Sequence, residues 1–466
     1  MTDTDVCSFH MSNQLVLFLF RACCGCVCVF GFLRPFWPRF ISVFLTHTRI
    51  SLCLLIINMR TFSLFFCCLV LTNGQNNETK LVRNGLTERV GNFSIELLYY
   101  TAKEVPADQN LIVAPLTAWT VMAVMAEGAT ENTLIQINKA LRVTQKHRDL
   151  IRSEFQNIAK WLNVNASTVD LQRLGILFVD MNKLPFRDFQ EISNNYYLTR
   201  TQPLDFSKST ESAQLINTAI SNFTHGRINK LVDPSYFGEA QMFLTSAVYF
   251  RGQWTVPFNS TLTRKMPFYD TNRQKIGEVN MMSNRYTYPF ANIKALQARV
   301  IELPYGVEDR LSMIIMLPDP GVSLENMFLN FQKVPLDNFF TELKQAREEF
   351  GDDEVDCFIP RFKIESSLDL TETFKNSFGL TDMFDEHRAS FGNLARLPLH
   401  VTKIIHKAEI EVTEEGTTAS GVTVAEFSNR IGSLRLEVNR PFAYMIVEKI
   451  TNSIVFGGMY RHPTLY

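Results

Sequence analysis

Beyond residue 75 the chain almost lacks cysteine. Eight of its nine cysteines fall at positions 7, 23, 24, 26, 28, 53, 67 and 68, and only Cys357 follows. An intramolecular disulfide is therefore excluded from the long C-terminal part, which has residues enough to bury a large core without one. A surplus of one charge is lacking too. Residues 1–75 hold five Arg and two Asp, and the remainder carries 41 basic and 45 acidic residues, net −4. That balance excludes a nucleic-acid protein of the usual basic kind and a general affinity for polyanions. The patterns G-x-S-x-G, H-E-x-x-H and the glycine-rich phosphate loop are missing, so an enzyme has no motif behind it. Histidines 147, 225, 387, 400, 406 and 462 show no metal-ligand spacing. No metal and no cofactor are expected. No linker-like stretch interrupts residues 85–466, so one large domain is expected there.

The first 75 residues differ in kind, with long apolar runs broken by Arg21, Pro35, Pro38 and Arg49. Met59-Arg60 opens a short positive region, Phe62 to Leu71 is apolar, and Thr72-Asn73-Gly74 offers small residues before Gln75. That is the layout of a secretory signal peptide counted from Met59. Residues 1–58 are read as upstream translated sequence, 59–74 as the signal peptide, and 75–466 as the domain. The competing reading is a membrane anchor, because Leu15–Leu33 is about long enough to span a bilayer. Arg21 and the clustered cysteines oppose it. Secretion to the extracellular space, with no membrane attachment of the mature form, is expected. Five N-x-S/T sequons, at Asn77, Asn92, Asn165, Asn222 and Asn259, fit a secreted glycoprotein. Cys357, beside Phe358 and Ile359, reads as a buried apolar thiol.

Apolar spacing predicts helices over 92–102 and 116–127 and helical patterning over 132–163. The second is apolar nearly all round and should be buried. Runs rich in Val, Ile, Phe and Tyr predict strands at 171–180, 242–252, 298–304, 311–317, 357–365, 400–412, 434–438, 442–449 and 453–458. Helices come mainly first and strands later, without βαβ alternation, which favours α+β. Lys139, Arg142, Lys146, His147, Arg148 and Arg152 form a modest basic group on a predicted helix. A solvated face is the default reading, and a heparin-like polyanion is not an expected partner.

The most informative stretch is residues 414–436. Every second residue from Thr417 to Ala425 (Thr417, Ala419, Gly421, Thr423, Ala425) is small and uncharged. Such alternation suits a strand with one face hidden in protein. Yet Ser428-Asn429-Arg430-Ile431-Gly432-Ser433 reads as an exposed, cleavable loop. A segment with both characters is expected to change state.

Glu414-Glu415-Gly416-Thr417-Thr418-Ala419 resembles the hinge of the serpin reactive loop. His406-Lys407-Ala408 before it, and Asn439-Arg440-Pro441-Phe442 and Phe456-Gly457-Gly458 after it, are similar to serpin segments. Asn110 to Thr117, Glu127-Gly128-Ala129-Thr130, Ser246 to Trp254, Leu303-Pro304-Tyr305, Leu311 to Asp319 and Ile359 to Glu365 sit in family order. The resemblance runs from about Val82 to the C-terminus. It implies an α+β fold of three β-sheets and about nine helices, with an exposed reactive-centre loop and a large sheet that can accept one more strand. Counting forward from Glu414 and back from Pro441 by the family's spacing puts the reactive bond at Arg430–Ile431.

What the resemblance implies is a monomeric suicide inhibitor of a trypsin-like serine protease, which it traps covalently. Arg430 suits a specificity pocket with a carboxylate at its base. Ile431-Gly432 after it resembles a chymotrypsin-fold zymogen activation site, which points to a protease cascade. In the family, the residues matching Ala114, Thr117, Ser246 and His406 lie where the large sheet opens. Two depart from the usual pattern: Ala114 stands where serpins usually carry Ser, and Ser246 where they carry Asn. Taken alone, His406 reads as a satisfied core histidine, structural rather than chemical. The rival function is a non-inhibitory serpin serving as carrier, storage protein or chaperone. Such members usually have Pro, bulky or charged residues in the hinge, and this hinge has none on its inward positions.

Overall fold

The computed structural model describes residues 85–238, 240–350, 353–417 and 434–466, together with backbone strands between residues 7 and 67. The chain divides into two compact units, Met1–Leu81 and Val82–Tyr466. In the first, six strands from Cys7–His10 to Phe65–Cys67 follow one another as an antiparallel meander. The Leu15–Leu33 run is there two strands, Leu15–Ala22 and Cys26–Leu33. Most of the expected signal segment lies outside the described residues. Among the described residues no helix is long and apolar enough to cross a membrane.

The second unit is α+β, with three sheets among its described residues. The six-stranded sheet runs Phe290–Ile293, Ala298–Tyr305, Leu311–Pro318, Phe442–Glu448, Ser453–Tyr460, Leu111–Val113. Leu311–Pro318, Phe442–Glu448 and Ser453–Tyr460 are buried at every position. Their apolar sequences leave no polar face to turn outward, so both faces are covered. The helix Pro115–Gly128 is likewise buried throughout, as its all-round apolar sequence requires. Pro115 starts it, where the missing N–H costs nothing.

The four-stranded sheet runs Arg264–Tyr269, Lys275–Tyr286, Val355–Pro360, Leu434–Glu437. The large sheet runs Thr199–Leu204, Val169–Asp180, Met242–Gln253, Gly416–Thr417, Val401–Val412, Phe362–Asp369, with Val164–Asn165 added on Val169–Asp180. Its two faces meet different partners. One packs on the main core with Leu244, Val248 and Ile410. The other packs Phe243, Ala247 and Ile405 under the helix Ser209–Phe223.

The helix expected over 92–102 extends over Gly85–Glu104, and two expected elements are each divided. The helical run 132–163 is two helices, Glu131–Ala140 and Arg148–Trp161. Arg142 adopts a left-handed φ of 58° between buried Leu141 and Val143, which turns the chain, and its guanidinium holds Glu96 at 2.6 Å. The strand 357–365 is also two, Val355–Pro360 in the small sheet and Phe362–Asp369 in the large one. The hand-over is at Arg361, whose N–H donates to Asn280 O at 2.8 Å.

The basic group is mostly committed internally. Glu127, buried at the end of Pro115–Gly128, accepts from Arg152 at 2.7 and 3.0 Å and from Tyr197 Oη at 2.9 Å, with Arg148 at 3.4 Å. Bonds from Glu127 hold the Arg152 guanidinium above its usual pKa, and burial beside this carboxylate pushes the Tyr197 phenol up. One carboxylate thus ties three helices together. Breaking a buried pair leaves uncompensated charge. Glu127→Gln is therefore expected to lower stability by about 3 kcal/mol. Chemical denaturation measures it, and a loss below about 0.5 kcal/mol, the level of an ordinary surface change, would contradict the assignment.

Candidate functional site

The site is a gap in the large sheet. The parallel strands Met242–Gln253 and Val401–Val412 pair directly from Met242–Val401 to Ala247–Lys407. Past that point they part, and Gly416–Thr417 lies between their ends. Thr417 sits opposite both Gly252 and Val412, and Gly416 opposite Gln253. No direct pair joins Val248–Arg251 to Ala408–Glu411 among the described ladders.

A tight reversal places this short strand. Thr413 N–H donates to Gly416 O at 2.8 Å, and Gly416 N–H to Thr413 O at 3.2 Å. Gly416 has a φ of 145°, and a Cβ there would fall 2.1 Å from Gly252 O. Only glycine fits. Trp254 N–H donates to Glu415 O at 2.9 Å and Phe258 N–H to Glu414 O at 2.7 Å. The Trp254 indole N–H donates to Thr413 O at 2.9 Å, and its ring stacks on Tyr305 with centroids 4.4 Å apart. Tyr305 Oη meets Thr417 Oγ1 at 2.8 Å, and Thr417 is buried. The buried Glu414 carboxylate accepts from Thr263 Oγ1 at 2.7 Å and faces Arg361 at 3.6 Å. The structure thus gathers Glu414, Glu415, Gly416 and Thr417 at the mouth of the gap. Thr418, Ala419, Arg430 and Ile431 lie outside the described residues. The chain resumes at Leu434–Glu437, in the four-stranded sheet, parallel to Val355–Pro360.

Farther down the same two strands, Ser246 and His406 are direct partners. His406 is fully buried, and its Nε2 accepts from Ala114 N–H at 2.9 Å. The ring proton is then on Nδ1, which donates to Ser246 Oγ at 2.9 Å. Burial lowers the His406 pKa to about 4. The bond from Ala114 comes from the backbone, so Ala in place of Ser leaves the ring nitrogen satisfied. Thr117 joins only through its Oγ1, which donates to Ala114 O at 2.7 Å. Trp254 and Tyr305 are the site residues that sequence reasoning passed over as motif members. Aromatics at neighbouring strand ends were the available signal, and both are buried.

A family model described as Serpin (serine protease inhibitor) matches residues 88–463. The chain belongs to the serpin family. It is 30% identical to Serpin B8 of Bos taurus over 387 residues, covering 82% of this chain and 100% of the relative. It is 28% identical to human Plasminogen activator inhibitor 2 over 417 residues, covering 80% and 98%. Among solved structures, cleaved Serpin 42Da aligns with TM-score 0.69 at 26% identity, covering 80% of this chain and 97% of that one. Human thyroxine-binding globulin shares the fold, with TM-score 0.71 at 23% identity over 81% of this chain and 98% of that one.

In this serpin Asn165 and Asn222 are exposed, while Asn92 and Asn259 are half-buried; Asn77 lies outside the described residues. Asn259 Oδ1 is occupied by Thr261 N–H and Oγ1 at 3.0 and 2.8 Å. Cys357 is buried and unpaired, and burial pushes its thiol pKa up.

The His406 geometry fixes a pH dependence. The folded ring titrates near 4 and an unfolded histidine near 6.5. Below 6.5 the unfolded chain binds the proton first. Stability is thus full above pH 6.5 and falls by about 3 kcal/mol as the pH drops toward 4. His406→Gln should flatten that part of the curve of urea midpoint against pH. Parallel curves for the two proteins would contradict it.

Proposed function

We propose that this serpin is a secreted suicide inhibitor of a trypsin-like serine protease. The observation that carries the reading is the strand start at Gly416–Thr417, seated in the gap with Thr417 facing inward. Continuing its register puts Thr418 between Arg251 and Glu411, Gly421 between Val248 and Ala408, and Thr423 between Ser246 and His406. Both neighbouring strands give the same positions, and Ser246 and His406 are already partners. Ala419, Gly421, Thr423 and Ala425 then share the inward side with Thr417. None carries a charge that would cost several kcal/mol to bury. Residues 418–421 fill the open stretch, and anything beyond must part Ala247 from Lys407 and then Ser246 from His406.

The chemistry is the protease's own. Its serine attacks the Arg430 carbonyl carbon, the bond to Ile431 breaks, and the new amine leaves with a proton from the protease's histidine. Arg430 stays esterified to the protease. The freed segment inserts as a strand and carries the protease with it. About ten new ladder hydrogen bonds at roughly 0.5–1.5 kcal/mol each supply on the order of 10 kcal/mol. Dragging distorts the protease's oxyanion hole before water completes hydrolysis.

Secretion rests on initiation at Met59 with a signal peptide to residue 74, and residues 1–58 are then upstream sequence. Ile431-Gly432 supports a cascade protease as the target. The protein acts as a monomer, without cofactor, nucleic acid, membrane or heparin-like polyanion. With Arg142, Arg148 and Arg152 held by Glu96 and Glu127, little of the basic group remains for a polyanion. The second reading is a non-inhibitory carrier. The fold likeness to thyroxine-binding globulin favours it, and the small inward residues of the hinge oppose it.

Incubation with trypsin should give an adduct that survives SDS. Thr417→Arg should abolish the adduct and leave a cleaved substrate, because Tyr305 and the buried pocket have no place for a guanidinium. Undiminished inhibition by that variant would contradict insertion.

A further inference from the structure

The segment joining helix Ser209–Phe223 to strand Met242–Gln253 crosses the outer side of the gap. Ile228, Leu231 and Val232 are buried against that helix and anchor it. At one lip the His225 ring meets Tyr249 edge-on, with centroids 5.0 Å apart. At the other lip Arg227 reaches Glu411 at 2.6 Å and Glu409 at 3.4 Å. Lys407 Nζ donates to Lys230 O at 2.9 Å. Tyr249, Glu409 and Glu411 all lie in the stretches that the described ladders do not pair across the gap, although each pairs on its other side with Gln172, Glu365 or Lys363.

Glu411 has another partner. Tyr466 Oη donates to its Oε1. Tyr466 is itself pinned: its carbonyl accepts from Arg361 Nε and Asn280 Nδ2, both at 2.7 Å. Arg361 in turn faces Glu414 at the reversal. One carboxylate at the mouth of the gap is therefore shared by the crossing segment and by residue 466, and Arg361 links residue 466 to the hinge. In the continued register Thr418 arrives beside Glu411 and Ser420 beside Glu409, with their side chains on this outer side.

We propose that Arg227 and Tyr466, converging on Glu411, lock the outer side of the gap and set the rate at which a strand inserts. The lock rests on the insertion reading above. Arg227 and Tyr466 act by holding the Glu411 lip against the crossing segment, whose His225 meets Tyr249 on the other lip, and neither touches the protease.

The test uses the intact protein and a synthetic peptide of residues 417–428, whose uptake is followed by Trp fluorescence and by mobility on native gels. Arg227→Gln and Tyr466→Phe should each speed uptake at least threefold, and Glu411→Ala, which loses both bonds, should speed it more than either. Lys230→Ala is the control, since that side chain lies out on the surface with Asp233 and not on the lips. Uptake by wild type at the same rate as all three variants would overturn the lock and leave the insertion reading standing. Equal acceleration by Lys230→Ala would also overturn it, because general loosening would then suffice. No uptake by any protein would remove the insertion reading and the lock with it. Where a variant folds poorly, the same rates measured with Arg227→Lys, which keeps the charge but not the fork, should fall between wild type and Arg227→Gln.

Discussion

Backbone N–H and C=O groups in a sheet must find partners, and among the described residues the large sheet of this serpin leaves a stretch between its two central strands without a direct ladder. Its two central strands touch over Met242–Ala247 and stand one strand apart at Gly252 and Val412. Between these points each lip carries a short run of ladder groups that no described residue pairs across the gap. An open edge of this kind is a template for pairing. The chain supplies its own candidate, already started at Gly416–Thr417 in the right register and direction.

What shapes the mouth of the gap is local. Gly416 allows the reversal, and the Trp254–Tyr305 pair supports Thr417 from below. Lower down, the neutral His406 bridges the first residue before helix Pro115–Gly128 to Ser246 on the neighbouring strand. A single imidazole joins the two central strands to the core helix, with both nitrogens used. Above the sheet, Arg227 and Tyr466 close on Glu411. The structure thus places a polar contact on each face of the two strands that a new strand would have to separate.

Much of this was legible in the sequence, and the reasons differ by residue. The parity of Thr417 through Ala425 could be read because a strand's faces alternate strictly, and buried Thr417 has the predicted side. The all-round apolar Leu116, Trp119, Val121 and Met125 announced a buried helix. By contrast, the break at Arg142 carries no Gly or Pro, so the run 132–163 read as continuous. The hand-over at Arg361 was hidden because strand periodicity does not say which sheet a strand joins. Glu127 holding Arg148 and Arg152 depends on three helices meeting, and a list of cations on one helix cannot show it. Tyr466, far from Glu411 in sequence, is legible only in space.

Thermal unfolding of the intact protein beside protein nicked after Arg430 tests the central claim most directly. The account predicts that the nicked form, with the segment from Thr417 seated as a full strand, melts tens of degrees higher, as many kcal/mol of new pairing require. Equal melting temperatures would mean that no strand enters the gap, and the account would fail.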